Sequence, residues 1–163
     1  VELYPFRRLI KDGVEMVMVG HLLVPVLDTL PASVSKVVVT DLLRKKMKFR
    51  GLIITDALGM EGVLEPFSGS GAKATLAAYK AGVDILLMPD NVSESIDLIV
   101  DYIGDDRRKL KDLDARVSRV LALKGKCGKL TGRDDLSVDP AAVDTKGTDA
   151  LITTIEETLA AGR

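Results

Sequence analysis

Leu52-Ile53-Ile54-Thr55-Asp56-Ala57-Leu58-Gly59-Met60 is the stretch on which the fold turns. Its first four residues are apolar or β-branched and do not alternate with polar ones. That pattern suits a strand buried on both faces, as in a parallel sheet covered by helices. Asp56 then follows directly. A carboxylate there stands at the C-terminal end of a parallel strand, where α/β enzymes place their reacting groups. The alternative for Asp56 is an aspartate that caps the next turn through a backbone N–H.

Two further runs of the same kind flank it, Met16 to Gly20 and Asp84 to Met88. Strands are expected near 16–20, 51–55 and 84–88, and the three runs begin 35 and 33 residues apart. Eight units of that size approach the ~250 residues of a (β/α)8 barrel. Three such units also fit an open doubly wound sheet, and spacing alone does not separate the two.

Helical patterns fill the intervals. Ser33 to Lys46 follows Pro31 and carries Val34, Val37, Val38, Leu42 and Leu43, with Ser33 or Ser35 expected to cap it. Further helices are expected over 72–81, ended by Gly82, over 93–103 with Ser93 as cap, and over 110–126. Glu2 to Lys11 also reads as helix, with Pro5 in its first turn. Residues 131–148 are polar and rich in turn formers and read as a linker, and 149–163 as the start of a following helix or domain.

Composition narrows the function. Lys+Arg 23 against Asp+Glu 24 leave a formal charge of -1, which gives no electrostatic reason for a nucleic acid partner. No apolar run approaches the roughly 18 residues of a membrane span. The chain has no Trp, three Tyr and three Phe, few aromatic faces for a self-contained carbohydrate site. The single cysteine, Cys127, reads as a packed or idle thiol. One histidine among scattered carboxylates shows no metal-ligand spacing, so neither metal nor other cofactor is expected.

Other strand-end residues are weaker candidates. His21 follows Met16 to Gly20 and either touches a ligand or hydrogen-bonds within its loop; the second reading leads. Asp90 reads as the start of a turn. Gly69-Ser70-Gly71-Ala72-Lys73-Ala74 has the form of a dinucleotide loop but does not follow a strand, so it reads as a surface loop.

The segment Leu52 to Met60 resembles the nucleophile segment of family 3 glycoside hydrolases, particularly the β-N-acetylhexosaminidase branch. The surroundings agree in order: Glu2-Leu3-Tyr4-Pro5-Phe6, Val17-Met18-Val19-Gly20-His21, Pro31-Ala32-Ser33-Val34-Ser35, Leu42-Leu43-Arg44 and Phe49-Arg50-Gly51 precede it. Ala81 to Pro89 and Asp114 to Leu121 follow it, so the resemblance covers about Glu2 to Leu130. It implies an α/β fold made of the last three βα units of a TIM-type (β/α)8 barrel with a helical C-terminal extension. It also implies retaining hydrolysis of terminal β-N-acetylhexosaminides, with Asp56 as nucleophile and His21 and Met60 as candidate substrate-binding residues. For Met60, packing is an equally open role. β-Glucosidase action is the neighbouring alternative within the family. The resemblance leaves the compartment open between cytoplasm and periplasm or cell envelope.

The departure concerns the second catalytic group. In this branch the acid/base is an Asp–His pair on a loop before the Pro-Phe helix, accompanied by a Lys-His sugar-binding segment. This chain begins after that loop, and five barrel strands are not in it. The chain alone is therefore expected to be nearly inactive, and to self-associate or depend on the missing half of the barrel. A non-catalytic flavodoxin-like module is the alternative from another class. A receiver of that kind wants an acidic cluster near its first strand, where Met16 to Pro25 offers only His21.

Overall fold

A computed structural model describes residues 2–127. The linker and helix expected over 131–148 and 149–163 lie outside the described residues. The first helix, α1 (Tyr4–Lys11), carries Pro5 in its first turn, where a missing N–H costs no intrahelical bond. It leads into β1 (Met16–Val19), which pairs in parallel with β2 (Leu52–Thr55), Val17 opposite Ile53 and Val19 opposite Thr55. The fold is α/β with a small parallel sheet. Two of the expected strands are there at nearly the expected bounds.

The third is not a full strand. Segment 84–88 runs beside β2, but only Ile54 and Ile85 form a parallel bridge. Asp84 N–H and Ile85 N–H both donate to Ile53 O, and Thr55 N–H donates to Ile85 O. The ladder then stops because Leu87 N–H donates to the Thr55 hydroxyl, 2.9 Å away, instead of to a backbone carbonyl. Met88 next turns into the left-handed region at φ 46°, which ends any extended run.

Side chains alternate across the sheet. Val19 and Ile53 join Val39, Leu43, Ala74 and Ala78 in the core between sheet and helices, and Val17 packs against it. On the opposite face Met18 is 54% exposed and Met16 38%. One face of the sheet is thus covered, and on the other the β1 side chains are exposed while Leu52 of β2 is buried.

The connection from β1 to β2 holds a 3-10 turn (Ala32–Val34) and a π-helix (Val37–Lys46) where one α-helix was expected. Its start is a run of four β-branched residues, Val37 to Thr40, the type that crowds successive turns of an α-helix. Ser35 caps it through Val38 N–H, and Ser33 does not. After β2 come a short α2 (Glu61–Leu64), α3 (Gly71–Ala81), α4 (Val92–Ile103) and α5 (Arg107–Lys126). α3 is capped by Ser70 and ended by left-handed Gly82, so the Gly69-Ser70-Gly71 sequence opens a helix rather than forming a free loop. α4 is capped by Asn91 instead of Ser93, and α5 by Asp106. Alanines 72, 74, 78 and 81 give α3 a flat buried face.

Segment 84–88 is anchored at its beginning by charge. The Asp84 side chain is 0% exposed. Its Oδ1 accepts from Arg119 Nε and Nη2 at 3.0 and 2.7 Å, and its Oδ2 accepts from Arg44 Nη2 and from Ile53 N–H. Arg116 on α5 donates to the carbonyls of Tyr79 and Val83 at 2.8 and 2.6 Å and lies over the Tyr79 ring. Burial pulls the Arg44 guanidinium below its usual range, opposed by the attraction of Asp84.

Candidate active site

Asp56 sits at the opposite, C-terminal end of β2. Its own N–H donates to Val19 O at 3.0 Å, so it still belongs to the sheet. Its carboxylate is half-buried, and Oδ1 accepts from Ala57 N–H at 2.8 Å. Among the described residues no donor reaches Oδ2. One oxygen is therefore held by the backbone, while the other is free to act. No charged side chain bonds to the Asp56 carboxylate in the described residues, in contrast to Asp84.

The turn behind Asp56 is held from several sides. Met60 N–H donates to Ala57 O at 3.1 Å, and Leu58 N–H donates to Leu87 O at 2.9 Å. His21 reaches the same turn, with Nε2 2.8 Å from Ala57 O and Nδ1 2.6 Å from Ser33 Oγ. Ser33 is wholly buried beneath it. Ser33, read from the sequence as a cap, is instead the histidine's partner. No local signal in the sequence pointed to that pairing, because the two residues meet across a loop of twelve.

Asp90 closes the same end from the third segment. A Cβ on Gly59 would stand 2.4 Å from Asp90 Oδ1, and one on Gly71 would stand 2.9 Å from Asp90 Cβ. The aspartate thus fits between two glycines, one on the Asp56 turn and one at the start of α3. Met60 and Met88 are exposed beside it, at 49% and 69%. Asp56, Met60, His21 and Asp90 all lie on loops that leave the C-terminal ends of the three parallel segments.

Asp28 lies in the loop between β1 and the 3-10 turn. It accepts from the Ser35 hydroxyl at 2.6 Å and from Leu30 N–H, and the hydroxyl holds its carboxyl below the usual range. Among the described residues no group of His, Cys, Asp and Glu is arranged to hold a metal ion, and no helix is long and apolar enough to cross a membrane. Cys127 is exposed at the end of α5.

The sequence that carries this site has relatives among known proteins. Residues 1–123 match the glycosyl hydrolase family 3 N terminal domain. The chain belongs to glycosyl hydrolase family 3. A β-N-acetylglucosaminidase/β-glucosidase of Cellulomonas fimi is 33% identical over 134 residues, which cover 76% of this chain and 23% of that protein. A β-hexosaminidase of Chromobacterium violaceum is 39% identical over 94 residues, 58% of this chain and 26% of the relative. Among solved structures, the family 3 β-N-acetylglucosaminidase of Paenibacillus sp. str. FPU-7 superposes with a TM-score of 0.69 at 30% identity. That match covers 86% of this chain and 27% of the other. The β-N-acetylhexosaminidase of Beutenbergia cavernae gives 0.65 at 29% identity, covering 74% of this chain and 36% of the other. The chain spans about a quarter of the length of the curated relatives it matches.

Proposed function

We propose that this family 3 chain supplies the nucleophile-bearing, C-terminal part of a (β/α)8 barrel that hydrolyses terminal β-N-acetylhexosaminides with retention. The observation that carries the reading is the state of Asp56. It stands at the C-terminal end of a parallel strand, with Oδ1 fixed by Ala57 N–H and Oδ2 unengaged among the described residues.

In the proposed reaction Oδ2 attacks the anomeric carbon as the glycosidic bond breaks. A general acid gives its proton to the departing oxygen. The same group then takes a proton from water, which attacks the anomeric carbon and releases Asp56. Among residues 2–127 the only histidine has both ring nitrogens engaged with Ser33 and Ala57, which supports a general acid from outside this segment. Met60, exposed one turn beyond Asp56, would line the sugar pocket, with packing as the equally open role.

Exposed apolar side chains support the same proposal. Met16 and Met18 on β1, and Val117 and Leu121 on α5, leave apolar surface for the rest of a barrel to cover. The partner is therefore the missing barrel half or, failing that, a second copy. The bounds proposed beyond it are a linker over 131–148 and a further helix from 149.

The Cellulomonas relative carries both activities in its name, which favours β-glucoside hydrolysis as the second reading. Family membership weighs against the flavodoxin-like module. The deciding assay uses the complete polypeptide that carries this sequence, with chromogenic β-N-acetylglucosaminide and β-glucoside side by side. Turnover that disappears in Asp56→Ala supports the assignment, and the ratio of the two substrates chooses between readings. Silence on both substrates, or an active Asp56→Ala variant, ends it. The 163-residue chain alone is expected to show no turnover in the same assay.

A further inference from the structure

His21 stands at the C-terminal end of β1, but its ring does not present a free nitrogen. Nε2 lies 2.8 Å from Ala57 O, and a carbonyl can only accept, so Nε2 carries a hydrogen. Nδ1 lies 2.6 Å from the Ser33 hydroxyl. That hydroxyl is 0% exposed and has no other partner among the described residues, so its hydrogen needs Nδ1 as acceptor. The two contacts together select the neutral ring with hydrogen on Nε2. Both nitrogens are then used, and neither remains for a sugar hydroxyl.

The target of the ring is also informative. Ala57 O already accepts from Met60 N–H, and His21 supplies the second donor its two lone pairs can take. Ala57 N–H meanwhile holds Asp56 Oδ1. The residue after the nucleophile is thus pinned on both sides, through its N–H by Asp56 and through its carbonyl by Met60 and His21.

We infer that Ser33 and His21 form a hydrogen-bond relay that fixes the Ala57 carbonyl and so aims the Asp56 carboxylate, making His21 a positioning residue and not a sugar ligand. The Ala57 carbonyl fixes hydrogen on Nε2, and the Ser33 hydroxyl holds the ring in place by donating to Nδ1. The kinetic part of this inference rests on Asp56 being the nucleophile; the tautomer does not.

Both parts can be tested in the complete polypeptide. A ¹⁵N-edited imidazole spectrum, with the His21→Gln variant identifying the His21 signals by difference, reads the tautomer. Hydrogen on Nε2 and a bare Nδ1 are expected in the wild type and in Ser33→Thr, whereas Ser33→Ala keeps hydrogen on Nε2 through Ala57 O and moves only the Nδ1 signal. In the kinetics His21→Leu is expected to lower kcat about 10²-fold, the scale of a nucleophile displaced by an ångström, with KM nearly unchanged. His21→Gln, whose amide N–H can replace Nε2–H, recovers most of that loss. A wild-type ring protonated on Nδ1 overturns the relay. So does a raised KM at unchanged kcat in His21→Leu, or in His21→Gln should the leucine variant fail to fold, since that is the mark of a lost sugar contact. If Asp56→Ala remains active while the tautomer is as expected, the hydrolase reading fails and the relay stands.

Discussion

Two aspartates mark the opposite ends of the same small parallel sheet. Asp84, at the beginning of the third segment, is fully buried and takes hydrogen bonds from Arg44, Arg119 and Ile53 N–H. Asp56, at the end of β2, is half-buried and takes one, from its neighbour's N–H. A buried carboxylate needs every lone pair satisfied, because an unpaired charge in that setting is costly. A carboxylate that must attack a substrate needs the reverse, one oxygen held and one left open. The lesson is that pairing, more than burial or residue type, separates the anchoring end from the candidate reacting end. The same division of labour holds for barrel enzymes generally, with chemistry at the C-terminal ends of the strands and stability at the other.

The strongest way to break the comparison is to exchange the consequences. Asp56→Asn in the complete polypeptide is expected to lower kcat on the order of 10⁴-fold or more while the unfolding free energy moves by less than about 0.5 kcal/mol. Asp84→Asn is expected to do the opposite at the level of the fold. Leaving Arg44 and Arg119 without their carboxylate costs about 3–5 kcal/mol in urea unfolding. If Asp56→Asn unfolds the protein, or Asp84→Asn is neutral, the two ends are not as different as the contacts imply.

A sharper version replaces the whole buried cluster. Arg44→Met, Asp84→Leu and Arg119→Met together are expected to recover most of the single variant's loss, because the desolvation of three charges disappears with their attraction. A triple variant as unstable as Asp84→Asn would mean that the backbone bonds to Ile53, Phe49 and Gly51 matter more than the charges.

Two glycines probe the same contrast at smaller scale. A Cβ on Gly51, at the anchoring end, would meet Glu15 O at 2.3 Å, a backbone atom that cannot step aside. A Cβ on Gly59 would meet Asp90 Oδ1 at 2.4 Å, the tip of an exposed side chain that can rotate away. Gly51→Ala is expected to destabilise by about 1–3 kcal/mol and Gly59→Ala by clearly less, both read from thermal melting.

The smallest expected effect is a titration. The Ser35 hydroxyl holds the Asp28 carboxyl below its usual range. A carboxylate depressed in the folded state contributes stability above its unfolded pKa, and that contribution is lost as pH falls through the folded value. Ser35→Ala is expected to move the Asp28 ¹³C titration up toward the ordinary value, narrowing the acid range over which the 28–35 loop stays intact. An unmoved titration would remove Ser35 as the cause.

How much of this was legible beforehand differs from element to element. β1 and β2 were readable as short apolar runs, and the helices from 71 onward because each carries its own period and caps. The caps were the less secure part. Asn91 and not Ser93 starts α4, since either residue type can accept from a helix N–H and the tertiary position of the turn chooses. Segment 84–88 looked like a third strand by composition. Its ladder is broken by the Thr55 hydroxyl, a side-chain competitor that no strand pattern registers. The Ser33–Lys46 stretch was rightly read as helical, but not as a 3-10 turn followed by a π-helix.

Sequence by itself determined the order of the elements, the apolar runs and the place of Asp56 behind β2. These are local properties, written in side chains that lie next to one another along the chain. Only the tertiary structure decided what each polar residue is for. Ser33 finds His21 across twelve residues, Ala57 finds His21 across thirty-six, and Asp84 finds Arg44 and Arg119 across forty and thirty-five. A hydrogen bond is satisfied by proximity in space, and a buried donor or acceptor takes whichever partner the packing brings to it.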